Sequence, residues 1–252
     1  MATSFWDHLD ELRSVLIRCV VAWAVCAVGM FCFRDALFGF LFAPAHPDFI
    51  TYRLLRSVPC GEGWGGVSVS FINTQLSAQF TTHMQVAALA GLVIAFPYLV
   101  AQLYRFVSPA LYPNEKRAAG RIIGLGTLLF MLGVALNYLI IFPFAFRFLA
   151  TYQVQPEVVN QISLHSYVST LLVLSLMMGI LFEMPIVAWA LGRAGLIEAA
   201  WLRRYRRHAL VALMILAAVI TPTGDAFTLL LVTLPLYLLY ELSIYVVGTT
   251  AS

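Results

Sequence analysis

Apolar runs of bilayer-spanning length recur along this chain, and they constrain its fold more tightly than any motif does. They fall at about 15–33, 78–104, 122–142, 165–191, 209–220 and 226–247. Five of the six meet the ~20 apolar residues that a helix needs to cross a hydrocarbon core. The run at 209–220 is about 12 residues, roughly 18 Å as a helix, against a core of ~30 Å. A segment that short thins the local bilayer or leans on a packed neighbour. The chain is 62% hydrophobic and 11% charged, with mean hydropathy +0.89. A soluble domain averages about 45–50% apolar and about 25% charged. No polar stretch is long enough for a separate soluble domain. Residues 1–252 therefore read as one all-α integral membrane domain of six spanning helices.

The placement of the cations sets the orientation. One set of segments holds Arg13, Arg18, Arg105, Lys116, Arg117, Arg121, Arg193, Arg203, Arg204, Arg206 and Arg207. The opposite set holds Arg34, Arg53, Arg56 and Arg147. By the positive-inside rule both termini are cytoplasmic. Met1–Asp10 contains no Lys or Arg, so the basic region that opens a cleavable signal is missing and the first apolar run is expected to be retained.

Ahead of that run lies Phe5-Trp6-Asp7-His8-Leu9-Asp10-Glu11-Leu12-Arg13. As a helix it sets Phe5, Leu9, Leu12 and Leu16 on one face and Asp7, Asp10 and Glu11 on the other. Residues 1–14 are thus expected to lie along the membrane surface and then turn inward as a span. The result is a carboxylate cluster facing water beside a bilayer, which suits a cationic ligand.

Breakers punctuate the remainder. Pro97 predicts a kink in the second run. Pro143 predicts the end of the third, with 144–163 as an exterior stretch. Val67, Val69 and Phe71 alternate with polar or smaller neighbours, a weak strand pattern. Residues 61–66 satisfy G-x-G-x-x-G, but neither a strand before them nor a helix opening from them supports a nucleotide loop. Gly120 and Gly124 form one small-x-x-x-small pair. Cys19, Cys26, Cys32 and Cys60 contain no C-x-x-C pair, so no zinc site or disulfide framework is implied. The five histidines are dispersed, and H-E-x-x-H and G-x-S-x-G are both missing. No catalytic, metal or cofactor site is expected, and nothing points to nucleic acid.

Several ordered motifs together resemble the TatC family of twin-arginine translocase subunits. They are Phe5-x-x-His8-Leu9-x-Glu11-Leu12-Arg13, Ser108-Pro109-Ala110-Leu111-Tyr112-x-x-Glu115-x-Arg117, Phe142-Pro143-x-Ala145-Phe146, Phe182-Glu183-x-Pro185, Thr221-Pro222 with Asp225 nearby, and Leu234-Pro235-x-Tyr237. The resemblance implies a glove-like six-helix bundle in the bacterial inner membrane. It implies binding of twin-arginine signal peptides on folded proteins, work with single-span TatA/TatB-type partners, and export driven by the proton-motive force. Membrane lipids and further copies of the chain complete the expected partners. By the same resemblance Glu11 and Glu115 are the signal-peptide carboxylates, Phe106 the aromatic beside them, Glu183 the intramembrane acid and Asp225 the exterior-turn acid. His8, Arg13 and Arg117 flank the carboxylates, and Phe227 joins Glu183 and Asp225 as a partner contact. The chain departs from the family pattern at Val15, where many members carry a second arginine. It departs again in the longer turn Thr221-Pro222-Thr223-Gly224-Asp225 and at Leu229, where some members are polar.

Each residue also has a plainer reading. Glu11 suits a solvated helix face or a pair with Arg13 or Arg18. Glu115, following Asn114, suits the first turn of a helix. Phe106 suits interfacial anchoring, Asp225 an N-cap, and Glu183 a structural bond within the bundle. The competing function is a secondary transporter for a small solute, but such folds usually carry internal repeats and none is visible here.

Overall fold

The computed structural model describes residues 5–56, 70–107, 119–155, 160–221 and 223–250. Helix α1 runs unbroken from Phe5 to Phe31. The expected turn between a surface helix and a span does not occur. No proline or glycine interrupts residues 5–28, so nothing stops the acidic turn from continuing the helix. Leu16, Val20, Val25 and Val28 are each more than half exposed, as a lipid-facing stripe would be.

Beyond Cys32 and Phe33 comes a cap of short elements. It comprises α2 (Arg34–Phe42), a 3₁₀ turn (Ala43–Ala45) and α3 (Ile50–Arg56). Strand β1 (Phe71–Ile72) pairs in parallel with β2 (Ile162–Ser163), Phe71 opposite Ile162. Helix α4 (Ala78–Val107) continues through Pro97.

The third apolar run ends later than Pro143 implied. Helix α5 (Ala119–Leu136) passes through a π-helical turn (Asn137–Ile141) into α6 (Phe142–Thr151). The physical reason lies in the cap. Proline has no N–H to offer the carbonyl four residues back, which belongs to Leu139. The Thr51 hydroxyl donates to that carbonyl instead. Tyr52 donates to the Pro143 carbonyl at 3.0 Å, Tyr138 to Phe40 at 2.6 Å and Tyr167 to Leu41 at 2.9 Å. These bonds tie the cap to the two central helices. Burial pushes the Tyr52 hydroxyl up to about 12, opposed by the Arg147 charge, so it stays a donor.

The fourth run is two helices, α7 (Leu164–Phe182) and α8 (Met184–Arg193), parted at Glu183. Helix α9 (Ala199–Arg204) breaks at Tyr205, and α10 (Arg206–Ile220) opens three residues earlier than expected. Helix α11 spans Ala226–Thr250. Among the described residues, five helical stretches are long and apolar enough to cross a membrane: Leu9–Phe31, Ala78–Phe106, Ile122–Thr151, Leu164–Arg193 and Ala226–Thr249. Helix α10, at 15 residues, remains short of the ~30 Å core.

Helix pairs build the bundle: α1 on α4, α5 on α7, and α11 on both α8 and α10. A Cβ on Gly91 would sit 2.5 Å from the Ala27 backbone, and one on Gly133 would sit 2.5 Å from the Met178 carbonyl oxygen. A Cβ added to Gly120 or Gly124 would meet nothing within 4 Å among the described residues, so that pair mediates no close packing between them. The core centres on Phe130, Val168, Leu174, Met178, Val232 and Leu236, all fully buried.

Candidate functional site

Glu11 lies on the first turns of α1, exposed beside exposed Asp10 and Arg13. Among the described residues it forms no ion pair, so neither Arg13 nor Arg18 neutralises it. Helices α1 and α4 pack antiparallel. Phe31 stacks on His83 with ring centroids 4.0 Å apart, the Trp23 indole donates to the Ala88 carbonyl at 2.8 Å, and Ala27 faces Gly91. With the same rise per residue in both helices, this pairing carries the Glu11 turn of α1 toward the Phe106 end of α4. Phe106 is half-buried there, and the chain beyond it leads into Pro109–Pro113 and Glu115. Glu115 and Arg117 lie outside the described residues, as does the side chain of His8.

Glu183 occupies the break between α7 and α8. Its amide donates to Ile180, and Pro185 removes the next helical donor. The side chain reaches across to the third run: a Cβ on Gly126 would lie 3.2 Å from Glu183 Oε2 and 3.4 Å from Val100. Glu183 Oε1 is buried with no hydrogen-bond partner among the described residues. An acid held in an apolar bundle without a full set of bonds is costly.

Asp225 caps α11. Its Oδ1 accepts from the Thr228 amide at 2.7 Å, and its carbonyl accepts from Leu229 at 3.1 Å. Gly224, at φ 59°, provides the left-handed backbone that turns the chain into this cap. Burial alone would raise the Asp225 carboxyl. The hydrogen bond from the Thr228 amide outweighs it and holds the group below the ordinary carboxylate range. A depressed folded-state pKa gives stability that is present above the unfolded value and lost as pH falls through the folded one. Asp225→Ala is therefore expected to cost about 1 kcal/mol at pH 7, the gap to the parent shrinking below about pH 4. Asp225→Asn keeps most of the cap and loses the pH dependence; thermal unfolding in detergent across pH reads both. Phe227 stacks on Phe148, centroids 4.6 Å apart, so part of its ring is already used within the chain.

One polar pair lies outside every motif of the sequence. Asn137, fully buried in the π turn, donates to Ser175 Oγ at 2.8 Å across α5 and α7. An asparagine inside a long apolar run is the signal that could have found it.

Long apolar helices, an acid at an interhelical break and an exposed acidic turn at one end define a multi-pass α-helical membrane protein. A family model described as "Sec-independent protein translocase protein (TatC)" matches residues 7–235. A TatC of Blattabacterium sp. subsp. Periplaneta americana is 35% identical, over 96% of this chain and 94% of that protein. One from Deinococcus radiodurans is 36% identical, over 95% and 83%. A crystal structure of the twin-arginine translocase receptor TatC superposes with TM-score 0.79 at 32% identity, covering 97% of this chain and 100% of that one. The chain belongs to the TatC family and is a component of the Sec-independent protein translocase, a transport protein and not an enzyme.

Proposed function

We propose that this chain is the receptor and core scaffold of the twin-arginine translocase. Glu11 and Glu115 receive the consecutive arginines of the signal peptide, with Phe106 against the residues that follow. The observation that carries the reading is Glu11: exposed, without an ion pair among the described residues, and set toward the end of α4 that leads into Glu115. Each guanidinium can take one carboxylate through two parallel hydrogen bonds, which a lysine ammonium cannot reproduce. His8, Arg13 and Arg117 frame the pair. Glu183, Asp225 and Phe227 serve TatA/TatB-type partners, and the proton-motive force drives export.

In this reading the chain crosses the inner membrane six times with both termini cytoplasmic. Helix α10 makes the fifth crossing through bilayer thinned around it. Replacing Glu11 and Glu115 together by alanine is expected to weaken binding of a twin-arginine peptide by about 10-fold to 100-fold per carboxylate. Equilibrium binding to the detergent-solubilised protein checks this. Unchanged affinity in the double variant overturns the site. Solute uptake by the purified chain alone in liposomes would favour the transporter reading.

A further inference from the structure

We infer that a cavity at the end of the bundle opposite Glu11 receives the small-residue segment that follows the apolar part of a signal peptide, held as an added strand beside β2. The inference rests on the receptor reading of Glu11 and Glu115. The cavity measures about 380 Å³ and lies between α6, the start of α7 and the start of α11. Tyr167 stands in its wall and donates to the Leu41 carbonyl of the cap at 2.9 Å. Glu11 is on the first turns of α1, and the other end of α1 leads into the cap, so the two sites lie at opposite ends. A signal peptide carries an apolar stretch of about 7–15 residues that ends in a small-residue segment. Fifteen residues as a helix span roughly 22 Å, and three more in extended form add roughly 10 Å, which matches the ~30 Å core. An arginine pair at Glu11 therefore places the small-residue segment at the depth of the cavity.

The walls suit a peptide backbone. Strand β2 pairs with β1 alone, so among the described residues its second edge carries no strand. Asn160, Gln161, Ile162 and Ser163 all line the cavity. That segment is held in place from within the chain. Asn160 Nδ2 donates to the Ala150 carbonyl at 3.1 Å and the Tyr152 carbonyl at 2.9 Å, and Ser163 Oγ accepts from the Ser166 amide at 3.1 Å. An extended peptide adds to such an edge through main-chain hydrogen bonds. Ser166, Thr170, Thr223 and Thr228 line the cavity as well. Thr228 is fully buried, yet its Oγ1 has no hydrogen-bond partner among the described residues, and neither has Thr223 Oγ1. A hydroxyl both donates and accepts, so it serves a peptide N–H or C=O equally. Among the described residues no charged side chain lines the cavity, which disfavours an ion or a lipid phosphate as the occupant. Phe142, Ala145 and Phe146 supply an apolar side, against which small side chains fit.

The test compares two twin-arginine peptides on the detergent-solubilised full chain. One ends with its apolar stretch; the other continues through the small-residue segment and carries a photoreactive diazirine there. The longer peptide is expected to bind about tenfold more tightly and to crosslink to residues 160–163 or 223–228. Thr228→Val, which keeps the side-chain shape and removes the hydroxyl, should weaken the longer peptide about threefold. Thr170→Phe, which fills the cavity, should remove the whole advantage. Both variants should bind the shorter peptide as the parent does, which a loss of structure would not allow. If Thr170→Phe fails to fold, the valine variant alone decides. Equal affinity of the two peptides for the parent, equal loss of both in the variants, or diazirine crosslinks away from the cavity while binding still requires the arginine pair would overturn the inference and leave the receptor reading standing. Binding of both peptides without regard to the arginines would overturn the receptor reading and the inference with it.

Discussion

Valine in place of Gly133 is expected to separate α5 from α7 and to cost about 3 kcal/mol. The added Cβ would lie 2.5 Å from the Met178 carbonyl oxygen and 2.9 Å from its carbon. Both atoms are backbone, so no side chain can rotate away and the helices must move apart. Phe130, Leu174 and Met178 are fully buried along this interface, and a close-packed core forfeits dispersion contacts when its walls separate. Alanine at Gly133 should already destabilise. Alanine at Gly120 or Gly124, whose Cβ would meet no described residue within 4 Å, should be neutral or stabilising by about 0.5–1 kcal/mol. Thermal unfolding in detergent distinguishes the two groups. A Gly133→Ala protein as stable as the parent would contradict the packing described.

Glu183→Met is expected to do the opposite: stabilise the protein while abolishing partner-dependent export. The substitution removes a buried carboxyl oxygen with no hydrogen-bond partner among the described residues. An orphan of that kind costs about 1–3 kcal/mol, and the methionine stem fills similar space. Proteins retain such costs where function needs them. Glu183→Gln keeps the shape and one acceptor and should fall between the two. Unfolding temperature and export in cells lacking the native subunit are the paired readouts. A Glu183→Met protein that melts lower would mean the acid is held by a structural bond within the bundle.

The residues are informative where one local cause dominates. Runs of apolar residues place the long helices because lipid requires every backbone group to be satisfied within the helix. The break between α7 and α8 at Glu183, just before Pro185, is not announced by the run 165–191, since helices α4 and α11 continue through Pro97 and Pro235. Local pattern misleads where a distant segment intervenes. Pro143 looks like a terminus, yet Thr51, remote in sequence, supplies the missing donor and the helix runs on to Thr151. The N-terminal acidic stretch resembles a separate surface helix because its polarity changes at Val15. Polarity does not bend a helix that has no breaker, and α1 continues. At the candidate site, the exposure of Glu11 and the cap at Asp225 follow from local pattern. That the Glu11 end of α1 runs toward the Phe106 end of α4 depends on how the two helices pack, which no local pattern encodes.

Crosslinking a twin-arginine signal peptide to the detergent-solubilised chain, with a Lys-Lys peptide as control, tests the receptor reading most directly. Crosslinks are expected around Glu11 and Glu115 and should disappear with the Lys-Lys peptide. Equal crosslinking by the two peptides, or crosslinks confined to other faces of the bundle, would contradict it.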